Sequence, residues 1–300
     1  MSRLRTDFVD VGVVGRGGFC KVFKVIGRLD GAQYAVKRTE KKLQTEREKL
    51  EALREVQAMA SLGGGGEHVV RYFGAWMEYD HLYIQLELCD GTLSELSALS
   101  NAATEASLVS GVPVPAGVKI FDEAAVIEVL THVCRALRYA HARNVAHLDV
   151  KPDNVLHRRG AYKLADWGRA APVDGIGGGR LVSVEEGDAR YLAPELLRGD
   201  FGCSLGVPGD SSFVGLDRAD VFSLGATAYE LARRAPLPSS GDEYQALRRG
   251  VGVRPLGEGW SDGFHALISS MMREAPGERP SAKRLMREGL LSGDGGGGSA

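Results

Sequence analysis

The sequence predicts an α+β chain with a strand-rich first part and a helix-rich second part, as one two-lobed domain or as two domains. Three observations lead there. Five short apolar runs separated by turn residues fill residues 8–88 and are interrupted by a single helical repeat. Helical repeats dominate from Asp122 onward. The length of 300 residues exceeds what one compact core usually encloses. A hydrophobic share of 44% and a charged share of 25% are ordinary for a folded soluble chain.

Composition excludes several functions. The net charge is −2 and no basic stripe is present, so neither nucleic acid nor an anionic membrane is an expected partner. Cys20, Cys89, Cys134 and Cys203 form no C-x-x-C pair, which argues against a zinc site and against a disulfide framework and suits a reducing compartment. No apolar run approaches 18 residues and no signal-peptide core opens the chain, so a soluble intracellular protein is expected. The 40 glycines are about double the average share. Runs at 63–66, 177–179 and 295–298 read as loop or tail, and residues 292–300 are expected to be a disordered glycine-rich tail.

In chain order, the run 8–14 ends at Gly15-Arg16-Gly17-Gly18-Phe19-Cys20-Lys21-Val22. A second run covers 22–26, Asp30-Gly31 makes a tight turn, and Tyr34-Ala35-Val36-Lys37 follows. A glycine loop between antiparallel strands can lay backbone N–H groups over phosphates. Cys20 stands where a third glycine would, which removes the dinucleotide fingerprint, and no Walker A sequence exists. Cys20 is expected to pack or to line the loop. Leu50, Leu53, Val56 and Met59 recur at helical spacing over 46–62, Gly63 stops the pattern, and Glu55 lies beside that apolar face. Two more strands are predicted at 69–77 and 82–88, turning through Glu78-Tyr79-Asp80-His81. Residues 101–119, with Pro113 and Pro115, read as an inserted loop, and 200–216 as another. Asp122 caps an amphipathic helix through Val126, Val129, Val133, Leu137 and Ala140, on which His132 and His141 are expected to be structural.

The chemistry-bearing stretch is His147-Leu148-Asp149-Val150-Lys151-Pro152-Asp153-Asn154. It is followed by a hairpin-like pair of runs around 155–157 and 162–164, by Asp166-Trp167-Gly168, and by Ala193-Pro194-Glu195. In order and spacing this resembles the eukaryotic protein kinases, with their H-R-D-x-x-x-x-N loop and D-F-G motif. The resemblance spans about residues 8–291. It implies a two-lobed fold with an N-lobe (about 8–88) of antiparallel sheet plus one helix, a hinge at 89–91, and a mostly helical C-lobe (about 92–291). ATP and Mg²⁺ are the implied cofactors. Asp149 falls on the base and Lys151 beside the transferred phosphate; Asn154 and Asp166 fall on the metal ligands. Lys37 falls on the phosphate-anchoring lysine, with Glu55 as its partner and Glu51 or Glu48 as alternatives. Gly15, Gly17, Val22, Ala35, Leu86, Glu87, Cys89 and Leu156 line the nucleotide site on the same basis, Leu86 guarding its rear. Family members also brace the catalytic loop with the aspartate of Asp220-Val221-Phe222 and pair Arg279 with Glu195.

Within that superfamily three stretches resemble the Wee and Myt group, which restrains cyclin-dependent kinases: His68 to Trp76, Ile84 to Cys89, and Glu186-Gly187-Asp188-Ala189-Arg190-Tyr191. Leu148, in place of the usual arginine, also fits. The implied function is transfer of the ATP γ-phosphoryl group to an inhibitory tyrosine of a cyclin-dependent kinase in its cyclin complex, by a monomeric tyrosine-specific or dual-specificity enzyme. A nuclear, or else cytoplasmic, location goes with it. The first two stretches equally resemble the serine kinases of translation initiation factor 2 α-subunit, and Leu148, Cys20 and Trp167 admit a pseudokinase scaffold. Without an arginine at 148, activity independent of phosphorylation, at Ser183 for example, is expected. Fixed carboxylates at Glu185, Glu186 and Asp188 would order the segment, and Asp188 and Arg190 would either shape the peptide platform or brace the loop internally. The chain starts almost at its first strand, so a trimmed domain or an unusually short member is expected.

Overall fold

A computed structural model of the chain describes residues 2–174, 188–198, 215–253, 255–287 and 291. A short helix α1 (Arg3–Asp7) leads into β1 (Phe8–Arg16), β2 (Cys20–Gly27), β3 (Gln33–Thr39), helix α2 (Glu46–Leu62), β4 (Tyr72–Glu78) and β5 (His81–Glu87). The five strands form one antiparallel sheet in the order β1-β2-β3-β5-β4. Each link has a local cause. The β4–β5 hairpin turns at Tyr79 and Asp80, with φ of 50° and 63°, the primed geometry that matches strand twist. Register shifts between Asp10 and Gly12 and between Val13 and Gly15 bend β1 where the glycine loop begins.

Helix α2 begins at a capping box made by Thr45 and Glu48 and ends at left-handed Gly63, as the sequence predicts. Its apolar face is covered only in part. Met59 and Leu62 are buried, but Leu50 is 62% exposed. Spacing marks a face; it does not say how far along the helix the neighbours reach.

The C-terminal part opens with β6 (Gly91–Thr92), α3 (Leu93–Ser110) and α4 (Glu123–His141). Helix α3 corrects the inserted loop expected at 101–119. A capping box of Thr92 and Glu95 starts it, and left-handed Gly111 ends it. Ala102, Ala103 and Ala106 are strong helix formers, and their surroundings, with Glu105 the one charge of the helix after residue 100, hide the amphipathic signal. The loop proper begins at Gly111. Asp122 caps α4 as expected, its side chain accepting from Ala125 N–H at 2.9 Å. Next come β7 (Val145–Ala146), β8 (Val155–Arg158), β9 (Ala161–Leu164), β10 (Ala171–Pro172), α5 (Pro194–Arg198), α6 (Asp217–Arg233), α7 (Gly241–Arg248), α8 (Asp262–Met271) and α9 (Ala282–Leu285). Helix α6 is buried almost throughout and packs on α4 and α8. Of the insertion expected at 200–216, Leu216 is buried and donates its N–H to Val173 O, while 200–214 lie outside the described residues.

The β8–β9 hairpin joins the two parts. Val70 N–H donates to Leu164 O, Leu164 N–H donates to His68 O, and the His68 imidazole donates to Tyr162 O at 2.9 Å. On the other side Tyr162 N–H donates to His132 Nδ1, and the two imidazoles stack with centroids 4.2 Å apart. Both histidines are structural. Burial and the neighbouring His68 push His132 down to about 4 from an ordinary 6.5. Because the folded value lies below the unfolded one, the unfolded chain takes up the proton first as pH falls. Stability from this pair is therefore intact above pH 6.5 and declines toward pH 4. His132→Asn keeps an acceptor for Tyr162 N–H and removes the titration. Its melting temperature should fall less between pH 6.5 and pH 4 than that of the parent; an equal fall would show that another group is responsible.

Candidate active site

The site is built around the catalytic-loop stretch that follows β7. His147 is fully buried and bonded at both ends: its Nδ1 accepts Asp149 N–H at 3.2 Å and its Nε2–H donates to Ala165 O at 2.9 Å. That pattern fixes the neutral tautomer. Leu148 sits at φ +62°, a region that costs a leucine about 1–2 kcal/mol. The compensation comes from α6. The Asp220 carboxylate, wholly buried, accepts from His147 N–H at 2.8 Å, Leu148 N–H at 2.7 Å and His141 Nε2–H at 2.8 Å. Charged acceptors make stronger hydrogen bonds than neutral ones.

Beyond that brace, a 3-10 turn at Pro152–Asn154 returns the chain to Asp149. Asn154 Nδ2 donates to Asp149 O at 2.8 Å and to Asp149 Oδ2 at 2.7 Å, and Lys151 Nζ lies 2.9 Å from the same Oδ2. Among the described residues no hydrogen bond takes up Oδ1 of Asp149 or Oδ1 of Asn154. The hairpin then carries the chain to Asp166, at φ +60°. Lys37 on β3 bridges the parts: its Nζ is 2.7 Å from Glu55 on α2 and 3.0 Å from Asp166. Of the three glutamates weighed on α2, Glu55 is the one that meets Lys37. Burial works against the ammonium, yet the carboxylates of Glu55 and Asp166 outweigh it and hold Lys37 above the ordinary lysine value. Burial likewise opposes the Asp166 carboxylate, and Lys37 reverses the sign, so Asp166 stays ionised. Trp167 is 1% exposed, its ring meeting the His147 ring edge-on with centroids 4.6 Å apart. It fills the phenylalanine position of the motif as a packing group.

The strand register gathers the remaining residues named for the nucleotide. Ala35 lies beside Leu86, Val22 beside Lys37, and Leu156 across from Thr92 just past the hinge. Gly15 pairs with Val22, and Gly17 N–H closes the loop on Cys20 O at 2.9 Å. Among the described residues no backbone hydrogen bond outside the helices and strands takes up the N–H or C=O of Cys89. Burial pushes the Cys89 thiol up to about 12 and the Cys20 thiol up to about 11. The Glu87 side chain is taken up by protein partners. Its carboxylate accepts from Arg158 at 2.6 Å, Lys163 at 3.0 Å and Arg71 N–H at 3.1 Å. Sequence reading missed Arg158 and Lys163, which stand 71 and 76 residues from Glu87 with no local signal to find them.

In the activation segment, residues 175–187, including Ser183, Glu185 and Glu186, lie outside the described residues. Asp188 and Arg190 pair with each other, Arg190 Nε to Oδ1 at 3.0 Å and Nη2 to Oδ2 at 2.6 Å. Ala189 O between them is held by Arg248 and by the Tyr244 hydroxyl. Arg279, 2% exposed, grips Glu195 bidentately at 2.6 and 2.8 Å and donates to the carbonyls of Arg273, Arg218 and Glu274. For Asp220, Ala substitution strands three buried donors, each costing about 1–3 kcal/mol. Asp220→Ala should lose about 3 kcal/mol or more of stability in denaturant titration. A loss below about 1 kcal/mol would mean that water or a neighbour replaces the brace.

Similarity to known proteins agrees with this geometry. The protein kinase domain family matches residues 8–291. The chain is 41% identical over 292 residues to a Wee1-like protein kinase of Oryza sativa subsp. japonica, covering 97% of the chain and 48% of the relative. It is 38% identical over 286 residues to a Wee1-like protein kinase of Arabidopsis thaliana, with 95% and 50% covered, and 33% identical to one of Drosophila melanogaster, with 97% and 47% covered. The chain thus spans about half the length of these curated relatives. With nearly all of its residues matched and the motif residues joined by short hydrogen bonds and ion pairs, the chain belongs to the protein kinase family.

Proposed function

We propose that the chain transfers the γ-phosphoryl group of ATP to a protein hydroxyl, and that the acceptor is an inhibitory tyrosine of a cyclin-dependent kinase in its cyclin complex. The observation that carries the first part is Lys37 Nζ held between Glu55 and Asp166, opposite the Asp149, Lys151 and Asn154 cluster. The second part rests on the similarity to Wee1-like kinases.

The residues suit the cofactors. Asp166 and Asn154 offer hard oxygen donors, and Mg²⁺ takes one or two protein ligands with the rest from phosphate and water. Bound there, it would offset charge on the phosphates. Lys37 would hold the α- and β-phosphates, and the open Cys89 main chain would receive the adenine edge. Asp149 Oδ2 is already committed to Asn154 and Lys151, so Oδ1 orients the acceptor hydroxyl and takes its proton. Lys151 offsets charge developing on the transferred group. A tyrosine hydroxyl reaches farther from its backbone than a serine hydroxyl, so the peptide platform must lie farther back from Asp149. The platform for it is the stretch from Glu186 to Leu192, of which residues 188–192 are described, with Ala189 O held by Arg248 and the Tyr244 hydroxyl.

Asp149→Asn removes the proton acceptor and should slow turnover by about 10²–10⁴. Asp166→Asn removes a metal ligand and should act similarly. Phosphate transfer near the parent rate in both variants would overturn the catalytic assignment. The acceptor is tested by offering ATP and Mg²⁺ with a cyclin-bound kinase or with initiation factor 2 α-subunit, then mapping the phosphorylated residue. Tyrosine phosphate on the first is expected. Serine phosphate on the second alone would replace this reading with the initiation-factor one.

A further inference from the structure

Glu87 is a carboxylate in an unusual place. It ends β5 at the entrance to the hinge, is 7% exposed, and meets two cations from the other side of the molecule. Arg158 ends β8 and Lys163 lies on β9, so both belong to the hairpin that runs from Asn154 to Asp166. The Arg158 guanidinium lies 2.6 Å from Oε1 and the Lys163 ammonium 3.0 Å from Oε2, while Arg71 N–H donates to Oε2 at 3.1 Å. Burial opposes the charged form, but the Arg71 amide and the two cations reverse that and hold Glu87 below the ordinary glutamate range.

The same hairpin fastens the next hinge residues. Asp90 N–H donates to His157 O at 2.8 Å, Arg159 N–H donates to Asp90 Oδ2 at 3.1 Å, and Gly91 pairs with His157. At the front of the hinge the main-chain bonds are different: Glu87 N–H donates to Arg71 O, which is not part of the hairpin. Among the described residues, the Glu87 carboxylate therefore carries the ion pairs that attach the hinge, between Arg71 and Asp90, to the hairpin. Cys89, whose main chain is open to a ligand, lies between these fastenings. A shift of the hinge relative to the hairpin would move the adenine contact relative to Asn154 and Asp166.

We propose that Arg158 and Lys163 are positioning residues for the nucleotide: through the Glu87 carboxylate they fix the hinge main chain at the distance from Asn154 and Asp166 that one nucleotide spans. They touch neither nucleotide nor substrate, and their effect is on nucleotide affinity rather than on the rate of transfer. This rests on the phosphotransfer reading given above. Each cation partly covers for the other, so single removal is mild. Removal of both leaves a buried carboxylate with only the Arg71 amide, which drives the hinge toward solvent.

The test measures binding of a fluorescent ADP analogue with Mg²⁺, beside steady-state kinetics, on the full chain. Arg158→Ala with Lys163→Ala should weaken nucleotide binding about tenfold, since small misplacements far from the chemistry carry penalties of this size or larger. The KM for ATP should rise in step, and kcat at saturating ATP should stay within about twofold of the parent. Adding Glu87→Gln to the double variant removes the stranded charge and should recover much of the affinity, which identifies Glu87 as the route. If the double variant does not fold, Arg158→Ala and Arg158→Lys are compared, with the lysine expected to bind more tightly. Equal binding by the double variant and the parent would overturn the proposal. So would a triple variant no better than the double, which would mean that the cations act on the nucleotide directly. A parent that binds no nucleotide would overturn the phosphotransfer reading as well.

Discussion

The geometry of the catalytic loop depends on one buried carboxylate. Asp220 lies in the middle of a helix that is buried almost throughout, and three N–H donors converge on its carboxylate. Without it the loop would have no reason to keep Leu148 in a left-handed conformation, and the direction of Asp149 follows from that conformation. The charge is costly to bury and the backbone shape is costly to hold. Each stabilises the other, so the loop and helix α6 fold as one unit.

The catalytic loop itself was legible in the sequence because its contacts are local. The loop needs an aspartate, a lysine and an asparagine at fixed offsets because the aspartate meets each of the other two within 3 Å. Short-range chemistry of that kind leaves a pattern in the chain. The strands were legible for a related reason, since tight turns such as Tyr79-Asp80 and alternating burial act over a few residues. Even Glu55, on a different element from its partner Lys37, was marked by the apolar spacing of α2.

What was not legible depended on neighbours distant in sequence. Leu50 has the spacing of a core residue and is exposed, because nothing in α2 itself records where its cover ends. Helix α3 read as a loop beyond residue 100 because it has few charges and its apolar residues, Leu108 and Val109 among them, face solvent. The Glu87 attachment is the clearest case. Glu87 read as a residue lining the nucleotide site, and nothing near Arg158 or Lys163 in the chain marked them as its partners. The activation segment shows the same limit from the other side, since Asp188 and Arg190 satisfy each other locally and give no outward sign of what they shape.

The Cys20 thiol, under the glycine loop, is held near 11 by burial among Glu55, Asp166 and Glu40, with Lys37 only partly offsetting them. At neutral pH that leaves about one thiolate in ten thousand, and oxidants and alkylating agents react with the thiolate. The loop that would close over the phosphates thus carries a sulfur that is chemically quiet. An electrophile aimed at this cysteine would meet a thiol that burial keeps protonated.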